Sequence, residues 1–600
     1  MYKKFDKIDG SHPWRDVSAE GYVDYPVHYR KGGRVLYFNF ALAIELGLIR
    51  KNHPWKMTPK LEEKILRTFS IQILNEHDWA NRDKFPKDGY ENRLYMATRY
   101  LQLQHECKLG STSGDGRAIW NGIVKVGKKV YDVSSRGTGA TRLSPGAQEA
   151  PGAIKTGDDT HGYASGLADL DEMMASAVMS EIFYRQDFPT ERTLVVIDFK
   201  DNTAIGVRTA PNLIRPAHLF RYLKTGEHEE LKRSFDYFID RQERNGYWKL
   251  PRKGSKKRYA MALAYITRQY ARLAALMEEE YIFNWLAWDG DNMLASGAML
   301  DYGSIRRFAA KHNKYRYEDV DRFSTSLTEQ KREARYLIQT FAQLTDFVIT
   351  GEKKSIKDFN DDPSLVLYDE VFKIDRQRRM LFKMGFSHEQ IDQLMSNHRG
   401  IVEEFQQVLH YFEDAKVSDG EQAVADGVDH PPIFLIRHIL RELPAFLVEH
   451  KDEGEWPIMP PTMFCEIMAA SYAEKEDLKF TKTRQDKAFR FQQLYQDLVY
   501  ALSRKRWVTM EKLAERAAII NYEYRTTGDG LTWIIKECLE RKDNFDRQQF
   551  QEAFDRFVQS QVLIPEEWVE ITDKDMKGNT TKARLFKTMQ ANLEHFNEKI

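Results

Sequence analysis

The sequence predicts an α+β fold: a β-rich part, then a helical part, then a largely helical C-terminal extension. Two observations predict it. A strand–turn–strand pattern occurs twice, at about 118–133 and 193–208, with a single helical stripe between the two. Beyond Pro211, apolar residues recur at spacings of three and four almost to the end of the chain.

Residues 1 to about 95 read as an irregular start with helices, among them Asn39-Phe-Ala-Leu-Ala-Ile-Glu-Leu-Gly-Leu-Ile. Ala118-Ile-Trp-Asn-Gly-Ile-Val-Lys-Val turns at Gly127-Lys128 and returns through Val130-Tyr-Asp-Val, a hairpin. Residues 137–166 are rich in Gly, Ala, Thr and Pro and read as a long loop, of a kind that is usually functional or disordered. Met173, Met174, Ala177, Val178 and Ile182 stripe a helix over 169–186. Thr193-Leu-Val-Val-Ile-Asp-Phe, a turn at Asp201-Asn202 and Ala204-Ile-Gly-Val-Arg form the second hairpin. Helical spacing fills 227–244 and 258–286, and helices continue from 330 to 600 with breaks near 352–364, 416–432 and 452–461. A small β lobe with one helix, followed by a larger α lobe, is the order of protein kinases. A protein-kinase-like bilobal fold is therefore expected: an N-terminal segment (1–95) packing on the core, a β-rich N-lobe (96–210), a helical C-lobe (211–330) and a helical C-terminal extension (331–600).

Composition narrows the function. Hydrophobic residues make up 42% of the 600, enough for a substantial core. Lys+Arg and Asp+Glu balance at 90 each, so no global charge steers the chain to nucleic acid or an anionic membrane, and any anion site is local. Cys107, Cys465 and Cys538 are far apart and form no C-x-x-C pair, which fits a reducing compartment and no disulfide framework or structural zinc. The charged start Met1-Tyr-Lys-Lys-Phe-Asp predicts no signal peptide, and no apolar run is long enough to span a bilayer. A cytoplasmic location follows as the expectation; the oligomeric state is not legible.

Four patterns carry chemistry. In Gly290-Asp291-Asn292-Met293-Leu294-Ala295-Ser296-Gly297-Ala298-Met299-Leu300-Asp301-Tyr302-Gly303, a Ser-Gly turn separates two short apolar runs. A hairpin of that length brings Asn292 and Asp301 side by side, two oxygen donors of the kind Mg²⁺ accepts alongside water and phosphate. Asp301-Tyr-Gly also reads as a variant of the kinase Asp-Phe-Gly. A plain Asp-Asn turn is the competing reading. Arg208 and Arg215 straddle a strand end and a Pro turn, and guanidiniums suit bidentate phosphate contacts. Gly114-Asp115-Gly116-Arg117 precedes a strand, where glycines let backbone N–H groups approach an anion. Arg136-Gly137-Thr138-Gly139-Ala140-Thr141 sets a cation and two glycines just after a strand.

In this order the motifs resemble the selenoprotein O (SelO, YdiU-type) family. Its Gly-Asp-Gly-Arg loop is similar to Gly114–Arg117, its Lys-Gly-x-Gly-x-Thr to Arg136–Thr141, and its Ile-Pro-Thr-Thr-Arg-Ala-Leu to Phe188-Pro-Thr-Glu-Arg-Thr-Leu. Its Arg-Val-Ala-Pro-Ser-His-x-Arg resembles Arg208–Arg215, its Asn-Thr-Asp-Asn-Met…Asp-Tyr-Gly-Pro resembles Asp289–Ser304, and Asn39–Leu48 fits its N-terminal pattern. The likeness covers about 30–310. It implies a kinase fold that binds ATP flipped and transfers AMP to Ser, Thr or Tyr hydroxyls of protein substrates. By carry-over, Asp291 is the base, and Asn292 and Asp301 hold Mg²⁺, or Mn²⁺ in its place. Arg136, Arg208, Arg215, Asp301 and the backbone of Gly114, Gly116, Arg117 and Gly166 hold the nucleotide.

The chain departs from the family in four places. The phosphate-binding Lys is Arg136. The helix Glu that should pair with it is Ser176, with Glu172, then Glu181, as substitutes. The second Gly-Asp-Gly-Arg is reduced to Ser165-Gly166-Leu167-Ala168, its Asp missing or displaced to Asp158 or Asp159. His-Gly-Val has become Trp285-Leu286-Ala287. Two other readings stay open: a nucleotide-binding scaffold without transfer, and transfer from another nucleotide such as UTP with Mn²⁺. The basic run Arg252–Arg258 reads as a solvated loop.

Overall fold

The computed structural model describes residues 2–84, 90–103, 105, 107–161, 165–284, 287–303, 305–312, 314–315, 325–417, 431–452, 456–503 and 505–597. The fold is mixed α/β around a nine-stranded antiparallel sheet. Its strands are β1 (Tyr22–Tyr29), β2 (Arg34–Phe38), β3 (Ile71–Ile73), β4 (Tyr90–Thr98), β5 (Ala118–Val126), β6 (Lys129–Arg136), β7 (Ala168–Asp169), β8 (Arg192–Asp198) and β9 (Thr203–Ala210). They run in the order β2-β8-β9-β6-β5-β4-β1-β3, with β7 paired to β9.

Both expected hairpins form. β5 and β6 turn at Gly127, whose φ of +60° suits a residue without Cβ, and β8 and β9 turn at Asn202, φ +62°. Every residue of β8 is buried, because both faces of the sheet are covered. Val196 and Ala204 share a core with Met173, Met174 and Val178 of the helix Leu170–Arg185, the one expected over 169–186. Val195, Ile197, Ile205 and Val207 face the other way, onto Leu61, Ile65 and Phe69 of the helix Pro59–Phe69.

The first 95 residues are more regular than the sequence suggested. They supply β1, β2, β3 and most of β4 to the same sheet. The signal was present: in β1, Val23, Tyr25 and Val27 are buried while Tyr22, Asp24 and Pro26 between them are only partly covered, a period of two. Pro26 inside that run masked it; a β-bulge between Pro26 and Val27 accommodates the proline.

Below the sheet, the helix Lys256–Glu279 leads into β10 (Ile282–Asn284). A tight hairpin follows, β11 (Met293–Leu294) and β12 (Ala298–Met299), and then β13 (Ile305–Arg307), which pairs back to β10. Trp285 and Leu286 lie outside the described residues, as do 162–164 of the long loop, 418–430 and 453–455. The helical remainder divides in two. Helices between residues 363 and 520 share a separate core around Phe405, Phe412, Phe491 and Tyr495. The last three, Gly530–Leu539, Arg547–Gln561 and Thr581–His595, return to the first core. There Gln186 of the segment after Leu170–Arg185 donates to the carbonyls of Gln561 (2.9 Å) and Val562 (2.5 Å). Among the described residues no helix is long and apolar enough to cross a membrane.

Candidate functional site

The β11–β12 hairpin pairs Met293 with Met299 and Leu294 with Ala298. Continuing that register sets Asp291 opposite Asp301, with Asn292 beside them at the mouth of the hairpin. Asp291 is buried, Asn292 and Asp301 are partly exposed. Asp301 stands at φ +74°, in the left-handed region uncommon for a residue with a Cβ, and its carboxylate accepts the Gly303 N–H at 3.2 Å. Burial alone would raise its pKa; the guanidiniums of Arg136 and Arg117 outweigh that and hold it below the usual carboxylate range.

Above the hairpin, the last residue of β6 and the middle of β9 deliver two arginines to one carboxylate. Arg136 lies 4.0 Å from Glu191 and 3.8 Å from Asp301; Arg208 lies 3.3 Å from Glu191. All but Asp301 are buried. Arg136 Nε and Nη1 and Arg208 Nε make no hydrogen bond although they are shut off from solvent. Buried guanidinium N–H groups without acceptors are costly, and Arg136 carries two of them within 4.0 Å of two carboxylates.

The third arginine closes the other side. Arg215 donates to the Asp291 carbonyl at 2.5 Å, sits 3.5 Å from Asp115, and lies over the Tyr100 ring at 4.3 Å. Asp115 is fixed in turn by the Thr98 N–H (3.0 Å), the Thr98 hydroxyl (2.6 Å) and the Trp120 indole N–H (3.1 Å). His218 accepts the Arg215 N–H at 3.0 Å. Gln102 donates to the Asp291 carboxylate at 3.4 Å. Next to it, burial, then the hydrogen bond and charge of Asp291, raise Asp289.

The two glycine loops are zipped together. Gly137 N–H donates to the Arg117 carbonyl (2.9 Å), and Thr141 N–H to the Gly116 carbonyl (3.0 Å). A Cβ at Gly114 would come 2.1 Å from the Thr98 carbonyl oxygen. Gly166, at φ +93°, packs on the next loop: its carbonyl accepts the Gly139 N–H, and a Cβ there would lie 1.9 Å from Ala140 N.

The structure corrects the expected partner of Arg136. Glu172, in the first turn of its helix, instead pairs bidentately with Arg117, at 2.9 and 2.5 Å. Glu181, near the end of that helix, is held by Arg192 and by Asn39. Ser176 is buried, with no hydrogen bond to its hydroxyl. Glu191 and Asp301 take the place. Glu191 and Asp115 were missed as site residues; Asp115 lies between two quoted glycines, and Glu191 stands where the resembling motif has Thr. Asp158 accepts from Thr160 within its own exposed turn. Arg258, expected in a solvated loop, is buried in the helix Lys256–Glu279 and pairs with Asp240 (2.7 Å) and Glu243 (2.8 Å).

Fold and site together define a mixed α/β protein with an arginine–carboxylate cluster between the sheet and the β11–β12 hairpin. No family model matches the chain. It is 26% identical over 288 residues to the protein nucleotidyltransferase YdiU of Nitrobacter hamburgensis, covering 46% of this chain and 52% of that one. It is 26% identical over 304 residues to the YdiU of Bacillus cereus, covering 49% and 52%, and 25% over 368 residues to that of Clostridium beijerinckii, covering 58% and 69%. The chain is thus similar, at about a quarter identity over about half its length, to proteins named protein nucleotidyltransferase YdiU, as expected of a divergent relative of the SelO type. It spans about half the length of the curated relatives it matches first.

Proposed function

We propose that the chain is an ATP- and Mg²⁺-dependent nucleotidyltransferase that moves AMP onto Ser, Thr or Tyr hydroxyls of proteins, in a kinase-like two-lobed arrangement. The strand order β8-β9-β6-β5-β4 with the helix Leu170–Arg185 on one face, followed by the β10–β13 region, supports that arrangement. The observation that carries the reaction is the set of buried, acceptor-less guanidinium N–H groups of Arg136 and Arg208 above the Asp301 carboxylate. Triphosphate oxygens are the acceptors such groups lack.

Arg136, Arg208 and Arg215, with the backbone of Gly114, Gly116 and Arg117, neutralise and align the phosphates. Asp291 takes the proton of the acceptor hydroxyl, whose oxygen bonds to the α-phosphorus as the bond to the bridging oxygen breaks and pyrophosphate leaves. Among the described residues no group of three or more His, Cys, Asp or Glu could hold a metal ion. Asn292 and an ionised, partly exposed Asp301 still suit Mg²⁺, which keeps several waters and binds through one or two carboxylates plus phosphate. The ion would supply further charge neutralisation on the phosphates.

A second reading, nucleotide binding without transfer, is favoured by Ser176 standing where a helix carboxylate is expected. ATP labelled at the α or at the γ position separates the readings. Transfer predicts protein-bound label from α-labelled ATP only. Label from γ alone means phosphorylation, and no label with retained ATP binding means a scaffold.

A further inference from the structure

We propose that Glu191 is the positioning residue of this site: it seats Asp301 for the metal and shares the Arg136 charge with it. The proposal rests on the nucleotidyl-transfer reading above and adds a residue that the resembling motif does not supply.

Residues 189–191 run alongside β12 and are stitched to it. The Met299 N–H donates to the Pro189 carbonyl (2.9 Å), and the Glu191 N–H donates to the Met299 carbonyl (3.0 Å). The Asp301 N–H then donates to Glu191 Oε1 at 3.3 Å. The Thr190 and Tyr302 hydroxyls meet beside this rail. The side-chain contact falls on the residue whose backbone is in the left-handed region, where a carboxylate acceptor fixes an otherwise disfavoured N–H direction. The other Glu191 oxygen faces Arg208 at 3.3 Å.

Arg136 lies between two carboxylates, Glu191 at 4.0 Å and Asp301 at 3.8 Å. Arg136 is already slightly closer to Asp301, so Glu191 acts by sharing it: without the Glu191 charge the guanidinium is left to Asp301 unshared, and a guanidinium drawn onto Asp301 competes with a divalent cation for the same oxygens. Glu191 sits on a segment bonded to the hairpin, whereas the Ser176 position is on the helix Leu170–Arg185. The counter-charge therefore stays with Asp301 whatever that helix does.

Glu191→Gln in the full chain tests this, since the amide keeps an acceptor for the Asp301 N–H and removes only the charge. Three quantities are read: the melting temperature, ATP affinity in EDTA, and the Mg²⁺ concentration giving half-maximal ATP binding and transfer. The expected result is a split. Metal-free ATP binds at least as tightly as in the wild type, because the pocket has lost a negative charge. Half-saturation by Mg²⁺ rises about tenfold, and transfer falls with it. Glu191→Asp, which restores the charge on a shorter arm, falls between. Half-saturation within about twofold of wild type overturns the proposal, as does a parallel loss of ATP and Mg²⁺ affinity with melting temperature, the mark of a purely structural role. If the wild type itself binds no ATP, the reading of the site fails and the proposal with it. ATP binding by the wild type with an unaltered Gln variant sinks Glu191 alone.

Discussion

Two of the buried arginine–carboxylate clusters among the described residues, one around Glu280 and one around Glu191, are spaced differently. Glu280 ends the helix Lys256–Glu279 and is met by Arg307 at 2.5 Å, Arg379 at 2.7 Å and Arg437 at 2.8 Å; beside it Lys383 meets Glu279 at 2.8 Å. These cations come from β13 and from the helices Pro363–Lys383 and Ile436–Glu449, so the cluster ties the first core to the second. Around Glu191 the corresponding distances are 3.3 to 4.0 Å. The short, closed contacts hold helices together, although Arg307 Nε and Arg437 Nε there also lack an acceptor. What sets the Glu191 cluster apart is its longer, more open spacing and a partly exposed member, Asp301, which leave room for a ligand.

The largest expected effect is on the open side. Asp301→Ala should lower transfer of label from α-labelled ATP by about 10³-fold, since it removes the carboxylate proposed to hold the metal. Its melting temperature should move little, because Asp301 is partly exposed and its cationic neighbour is 3.8 Å away. A variant that melts early and transfers normally would break the comparison.

Glu280→Gln should show the reverse signature: a loss of about 3–5 kcal/mol on denaturant unfolding, because three guanidiniums lose their shared buried anion. ATP affinity of the folded fraction should be unchanged. The effect is pH-dependent with a fixed sign. Burial by itself raises Glu280, but Arg379, Arg437 and Arg307 hold it well below its ordinary 4.5. The folded state then binds fewer protons than the unfolded state, so the stabilisation is complete above that ordinary value and drains as pH falls below it. Wild-type stability should drop towards the variant's on acidification, and the gap between them should close.

The same contrast marks what could be read from sequence. Both sheet hairpins, the helix Leu170–Arg185 and the β11–β12 turn carry strong local periodicity or turn residues, and they fold as expected. β1 was hidden by Pro26. Arg136, Arg208, Arg215 and Asp301 were legible because each sits in a motif, and the structure gathers Arg136, Arg208 and Asp301 around one carboxylate. Their counter-charges were not. Glu191 lies just ahead of β8 in a segment without periodicity, 55 positions from Arg136 by their numbering and adjacent only through sheet and hairpin pairing. Glu172 was the nearer choice on paper, but it sits in the first turn of its helix, where Arg117 takes it. Ion-pair choice is a tertiary property, and sequence spacing on one helix does not determine it.

The smallest expected effect sharpens the comparison most. Arg136→Lys restores the residue type of the resembling motif and keeps the charge. The guanidinium reaches Glu191 through Nη2 and Asp301 through Nη1, both at long range, and an ammonium is a single point charge that cannot span them. Because these contacts are already loose, little is lost: ATP affinity should weaken by only about threefold, measured by isothermal titration at fixed Mg²⁺. Arg136→Met keeps much of the volume but not the charge, and should cost about tenfold or more if phosphate oxygens complete the guanidinium. In a closed cluster the Lys and Met variants would both unfold the protein. Equal affinities for wild type, Lys and Met variants would mean that the phosphates do not lie on Arg136, and that its acceptor-less N–H groups answer to something other than a nucleotide.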